Sequence, residues 1–329
     1  MSWAFGRTAA ILWAVLVAAA IVELVRSPSA LPRDREFYWT RYVGLAFGIN
    51  ALLWWLCTFG HEFMHLAAAR SLNVPARIGL GTRLNYLVAQ TDVTGIWLVP
   101  RRFRYRVYLA GMAWDMAVIA SVTLLLPLSP SILSGPLAAL RLSLLVGLAY
   151  ECAIYMRTDL YFVLLDLLRC RNLWGDASAY LTWCLGHVVR RVLRGRRGSL
   201  GLEDPAPLTR LSAREARSVR VYTVLLVAGS AVTLLAWVVV LIPILITGIT
   251  RSWHSVVAGV SWLSVLDGSM FIVFQVGFQA LFLVTFARSH RHWLRRSRQP
   301  GRRRQRWSSR LFPSRQVPCG HARNRAGRS

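Results

Sequence analysis

The chain contains no lysine: all 40 of its basic residues are arginine. So uniform a choice points to a coding bias, such as GC-rich DNA imposes, and not to chemistry. Acidic residues are scarce too, 14 among 329, which leaves a formal charge of +26. A charge of that size invites a nucleic-acid partner. Yet the arginines crowd into loops and the tail, where membrane topology accounts for them, and no aromatic–basic module accompanies them. The cysteines, Cys57, Cys152, Cys170, Cys184 and Cys319, are scattered with no C-x-x-C. That speaks against a disulfide framework and a zinc knuckle. No internal repeat of the transporter kind is evident.

What the chain has in plenty is apolar sequence. It is 55% hydrophobic, with a mean hydropathy of +0.43. Several uninterrupted apolar runs reach about 20 residues, the length that crosses a bilayer as helix. The expectation is an all-α polytopic membrane protein with six spans, at residues 9–25, 42–69, 107–128, 137–156, 222–247 and 270–286. The first run could be a signal peptide cleaved within 27–30, but Glu23 and Arg26 favour a retained anchor. Arginine counts orient the spans. Arg101, Arg102, Arg104 and Arg106 precede the third. Residues 169–220 hold 11 arginines against four acids, and the tail from Arg288 holds 14 with no acid. These segments are expected in the cytoplasm, and so are both termini of a multi-pass cell-membrane protein. The loop 26–41 is the exception, with four arginines partly offset by Asp34 and Glu36.

Residues 77–100 are rich in Val, Ile, Leu, Thr and Tyr, with Thr94-Gly95 as a turn. They read as short strands forming a small sheet at the cytoplasmic interface, with an irregular loop as the alternative. Residues 174–193 mix apolar residues with a basic end and suit the inner leaflet. The arginine-rich tail from about residue 290 reads as disordered and drawn to anionic lipid.

The second span carries His61-Glu62-Phe63-Met64-His65, an H-E-x-x-H pattern. On a helix, positions i and i+4 share a face, so both imidazoles can hold one metal ion. Glu62 lies about 100° round the helix, within reach of a water at that metal. Ionisable groups inside a membrane helix are costly and mark functional sites. A catalytic zinc needs a third protein ligand at the same membrane depth. The orientation above puts the histidines near the cytoplasmic end of their helix, and Asp159 follows the fourth span at that depth. Asp166, Glu151, Asp115 and His187 compete. Asp166 shares a helical stripe with Asp159, and Glu151 suits a supporting contact. Asp115, one turn after Gly111, could orient a histidine. His187 lies in the basic loop. Cys57 reads as packing, and Asn50 as packing or a polar contact.

These residues resemble the intramembrane zinc metalloproteases of the site-2 protease group. That group pairs H-E-x-x-H with an Asp-Gly motif at the end of the second helix after it, with strands between. Within it, residues 159–164 and 171–173, together with Ala110-Gly111 and Asp115, are most similar to bacterial peptide zinc metalloproteases. The likeness spans residues 50–181. Met64 stands where the group has Gly before the second His, and Leu160 where it has Gly after the Asp. The resemblance implies a three-helix catalytic core and one Zn²⁺ per chain, held by His61, His65 and Asp159. It implies that Glu62 is the general base in hydrolysing a peptide bond in or near the membrane. The implied substrate is a membrane-embedded or membrane-associated peptide, captured on a strand edge within 77–100. The organisation expected is an anchor and linker (1–41), the catalytic core (42–168), a cytoplasmic basic loop (169–220), a helix pair (221–288) and a basic tail (289–329). The alternatives are an inactive membrane scaffold of the same build, and a metal or proton transporter.

Overall fold

In hydrocarbon every backbone polar group must pair within its own segment, so apolar runs of this length become helices. The computed structural model describes residues 5–83, 86–194, 207–259 and 261–296. Residues Met1–Phe286 form one compact unit and Ala287–Ser329 a second. In chain order the helices are α1 (Arg7–Arg26), α2 (Val43–Ser71), α3 (Arg101–Tyr108), α4 (Ala110–Leu125) and α5 (Ser131–Tyr150). They continue with α6 (Asp159–Leu168), α7 (Leu173–Arg194), α8 (Ala213–Ala236), α9 (Ile242–Ala258) and α10 (Trp262–Arg296). Among the described residues, six helical stretches are long and apolar enough to cross a membrane. A hairpin of β1 (Arg77–Arg83) and β2 (Tyr86–Asp92) follows α2, and it makes the only sheet among those residues. The expected mostly helical chain, with six helices long and apolar enough to span a membrane and a small sheet after the H-E-x-x-H helix, is observed at this level.

Several boundaries differ from the sequence expectation. The third span runs Ala110–Leu128, starting three residues later than expected, and the arginines before it form the separate short helix α3. The fourth begins at Ser131, and Pro136 lies inside α5 as its sixth residue instead of marking its start. It ends at Tyr150, and Asp159 opens the separate helix α6. Arg157, in the left-handed region at φ 61°, makes that turn. The fifth is longer than expected: α8 runs through a π-helical turn (Trp237–Leu241) into α9, 46 residues in all. A capping box between Ser212 and Glu215 starts α8. The turn expected at Thr94-Gly95 is instead part of a 3-10 segment, Thr94–Leu98, beyond the hairpin. The tip of the hairpin, residues 84–85, and the basic tail from 297 lie outside the described residues.

Packing separates the helices into two groups. α2, α4 and α5 are the more deeply buried spans, while α1, α8–α9 and α10 are largely exposed. Val122, Leu140 and Leu144 form a core between α4 and α5, with Leu53 and Cys57 of α2 against it. α10 reaches α2 where small residues let backbones approach. A Cβ on Gly44 would lie 2.0 Å from the Asp267 carbonyl oxygen, and one on Gly48 would lie 2.9 Å from the Phe274 ring. Asp267 Oδ1 accepts the Leu45 N–H at 2.8 Å, which satisfies a free donor at the start of α2.

The segment between α1 and α2 is anchored into the bundle. Asn50 of α2 accepts from Trp39 Nε1 and donates to the Phe37 carbonyl, both at 3.0 Å. Glu36 meets Arg141 of α5 at 3.4 Å. Arg141 is the largest fully buried side chain among the described residues.

Candidate metal centre

The i, i+4 spacing on α2 places His61 and His65 on one face, their ring centroids 4.8 Å apart. Both side chains are buried, and so is Glu62 between them. α4 crosses this face at Gly111. A Cβ there would stand 2.2 Å from His61 Nε2 and 2.5 Å from His65 Nε2, so only glycine leaves the space in front of the two nitrogens open. One turn further along α4, Asp115 Oδ2 lies 2.7 Å from His61 Nδ1. The end of α3 supplies the Val107 carbonyl, 2.6 Å from His65 Nδ1. The first residue of α6 closes the set: Asp159 Oδ2 stands 3.0 Å from His61 Nε2 and 2.7 Å from His65 Nε2.

The protonation pattern follows from these partners. A carbonyl oxygen can only accept, so His65 Nδ1 donates to Val107. Asp115 Oδ2 likewise accepts from His61 Nδ1–H. A neutral imidazole has one N–H, so each Nε2 presents a lone pair. With both rings neutral, the two Nε2 atoms and an Asp159 oxygen are three acceptors facing one point, a set that either a metal ion or a proton on one ring completes. His65 Nε2 is buried and has no directed hydrogen bond, although Asp159 is within ion-pair distance.

The residues fit a metal ion. The three ligand atoms lie within 4.8 Å of one another, and a tetrahedral zinc shell spaces its ligands about 3.4 Å apart. Small movements suffice. The Asp115 and Val107 contacts are the outer hydrogen bonds that metal-binding histidines ordinarily make through the other ring nitrogen.

Asp159 is itself held. Its backbone N–H donates to Glu151 Oε2 at 2.7 Å, and Thr158 Oγ1 donates to the Glu151 carbonyl. Glu151 thus sits beyond the end of α5, where its charge also suits the start of α6. Asp166 is not in the cluster. It accepts from Arg104 Nη1 at 2.9 Å, and Arg104 also donates to the Trp97 and Val99 carbonyls. This latch joins α6, which carries Asp159, to α3, which carries Val107. His187 lies on α7 against Trp183. Asp115 orients His61 as the sequence suggested, and Cys57 packs on the apolar core.

Sequence reasoning missed three contacts. Arg104 was read with its neighbours as a topology signal, although its carboxylate partner was already in view as a rival ligand. Arg141 stood in plain sight as a charge in an apolar run. Thr91 Oγ1, 2.6 Å from Glu62 Oε2, gave no sequence signal. No family model, no curated protein and no solved structure matches the chain.

Proposed function

We propose that this protein is a zinc-dependent intramembrane endopeptidase. The observation that carries the reading is the convergence of His61 Nε2, His65 Nε2 and Asp159 Oδ2, three acceptors whose outer partners leave their lone pairs facing inward. The H-E-x-x-H pattern and the resemblance to the site-2 protease group support the choice of zinc and of peptide hydrolysis.

His61, His65 and Asp159 would hold one Zn²⁺, with Asp115 and the Val107 carbonyl fixing the rings. When bound, zinc supplies Lewis acidity, polarising a carbonyl and making water a better nucleophile. Glu62 takes a proton from the attacking water and hands it to the leaving amine. A C–O bond forms, the peptide C–N bond breaks, and the carboxylate is restored. A spanning substrate must unwind locally before it is cut, and the hairpin beside α2 offers an edge for an extended segment. The substrate is then a membrane-embedded or membrane-associated peptide.

The topology proposed has both termini and the metal centre on the cytoplasmic side of a bacterial cell membrane. Phe5 packs on the cluster formed by Ala68 and Ala69 of α2 and Tyr108, which supports the same end for the N-terminus and the centre. The basic tail is assigned to anionic lipid.

Elemental analysis of purified protein tests the metal directly. Wild type is expected to hold about one zinc per chain, and His61→Ala or His65→Ala little. Equal zinc in all three would reject the centre.

A further inference from the structure

The motif names Glu62 but not what holds it. Thr91 Oγ1 lies 2.6 Å from Glu62 Oε2 and 3.0 Å from the Glu62 backbone oxygen. A hydroxyl has one proton to give. The shorter contact, to an ionised oxygen, is the stronger of the two, so the proton goes to the carboxylate. Glu62 Oε1 has no hydrogen bond among the described residues.

The strand dictates this contact. Side chains alternate along β2, so Thr91 shares a face with Leu87 and Ala89. Those two are buried, 4% and 7% exposed, and β2 lies against α2. Thr91 therefore points at α2 for the same reason that Leu87 and Ala89 are buried. Its register is fixed too, since Thr91 stands opposite Ile78 of β1. A slip of one residue would turn the hydroxyl to the other face.

We infer that Thr91 is a positioning residue for Glu62, tying the seating of the hairpin to the geometry of the base. The inference rests on the peptidase reading above. Thr91 pins Oε2, and Oε1 is left to meet the water. When Oε1 gains the water's proton, the carboxyl becomes neutral and the charge-assisted part of the Thr91 contact is lost. The proton then passes to the leaving amine, and the contact is restored with the carboxylate. Thr91 keeps its own proton throughout.

The test uses full-length protein in detergent micelles with a library of quenched fluorogenic single-span peptides. The peptide that wild type cuts fastest is the probe. Thr91→Val keeps the branched shape and removes the O–H. It is expected to lower kcat about ten- to a hundredfold, because Oε1 is no longer held against the water, with zinc content and KM unchanged. Thr91→Ala is expected to match it, and Thr91→Ser to recover most of the rate. In a Glu62→Gln background, Thr91→Val should change the residual rate little, because the two residues act through one contact. Full kcat in Thr91→Val overturns the assignment while leaving the peptidase reading intact. So does a raised KM with unchanged kcat, an equal loss in the Gln background, or no recovery in Thr91→Ser. Zinc-loaded wild type that cuts no library member overturns the peptidase reading, and this inference with it.

Discussion

Toward the Val43 end of the bundle, Glu36 meets Arg141, and Asn50 holds the Trp39 ring N–H and the Phe37 backbone carbonyl. About 16 Å further along α2, His61 and His65 meet Asp159. Both clusters bury ionisable groups where they are expensive. The first pairs a cation with an anion and so neutralises itself. Its effect is local: it ties the 34–39 segment to α2 and α5. The second turns two ring nitrogens and a carboxylate oxygen toward one point. With the outer hydrogen bonds to Asp115 and Val107 using one N–H of each ring, a cation is what completes it. Burial alone therefore does not mark a reactive site. The sign balance of the groups separates a fastening from a candidate metal centre.

The largest expected effect tests the space in front of the histidines. Gly111→Ala raises intrinsic helix propensity by about 1 kcal/mol, and elsewhere on α4 it would be harmless. Here its methyl falls 2.2 Å from His61 Nε2, and neither ring can swing away without breaking its bond to Asp115 or Val107. Near-complete loss of zinc from a protein that still folds is expected, read by elemental analysis and thermal unfolding. Normal zinc would mean that the nitrogens do not face a metal.

Next comes the fastening. Glu36→Gln leaves Arg141 buried without its carboxylate, costing about 3 kcal/mol. A lower unfolding temperature is expected, with zinc per folded chain unchanged. Zinc loss in this variant would join the two clusters that the comparison separates.

The smallest effect concerns an outer contact of the centre. Asp115→Asn keeps shape but weakens the hold on His61 Nδ1. Metal affinity should fall about 10- to 100-fold, measured by competition with a chelator. Unchanged affinity would show that Asp115 serves packing alone.

Much of the candidate metal centre was legible in the sequence because helical periodicity is a local rule. His61 and His65 share a face by spacing alone, and Asp115 follows Gly111 by one turn. Asp159 was reached by a different route, since arginine counts set the depth at which a third ligand had to lie. The rest depends on tertiary placement. Nothing near Arg104 distinguishes it from Arg101 or Arg102, and it turns inward because Asp166 waits on α6. Thr91 is one hydroxyl on a strand, and only the seating of β2 on α2 gives it a role. Glu36 and Arg141 are 105 residues apart, a pairing that no local pattern encodes. Helix ends were read least well, because Pro136 and the turn at Arg157 act through geometry and not through composition.

The central claim is that the cluster of His61, His65 and Asp159 holds a zinc ion and hydrolyses peptides with Glu62 as base. Zinc content and cleavage should be measured on one preparation each of wild type and Glu62→Gln. Gln keeps the shape and touches no ligand, so zinc should stay near one per chain. Cleavage should fall about 10²–10⁴-fold, the usual contribution of proton transfer. Wild-type cleavage by a zinc-replete Glu62→Gln protein would contradict the account.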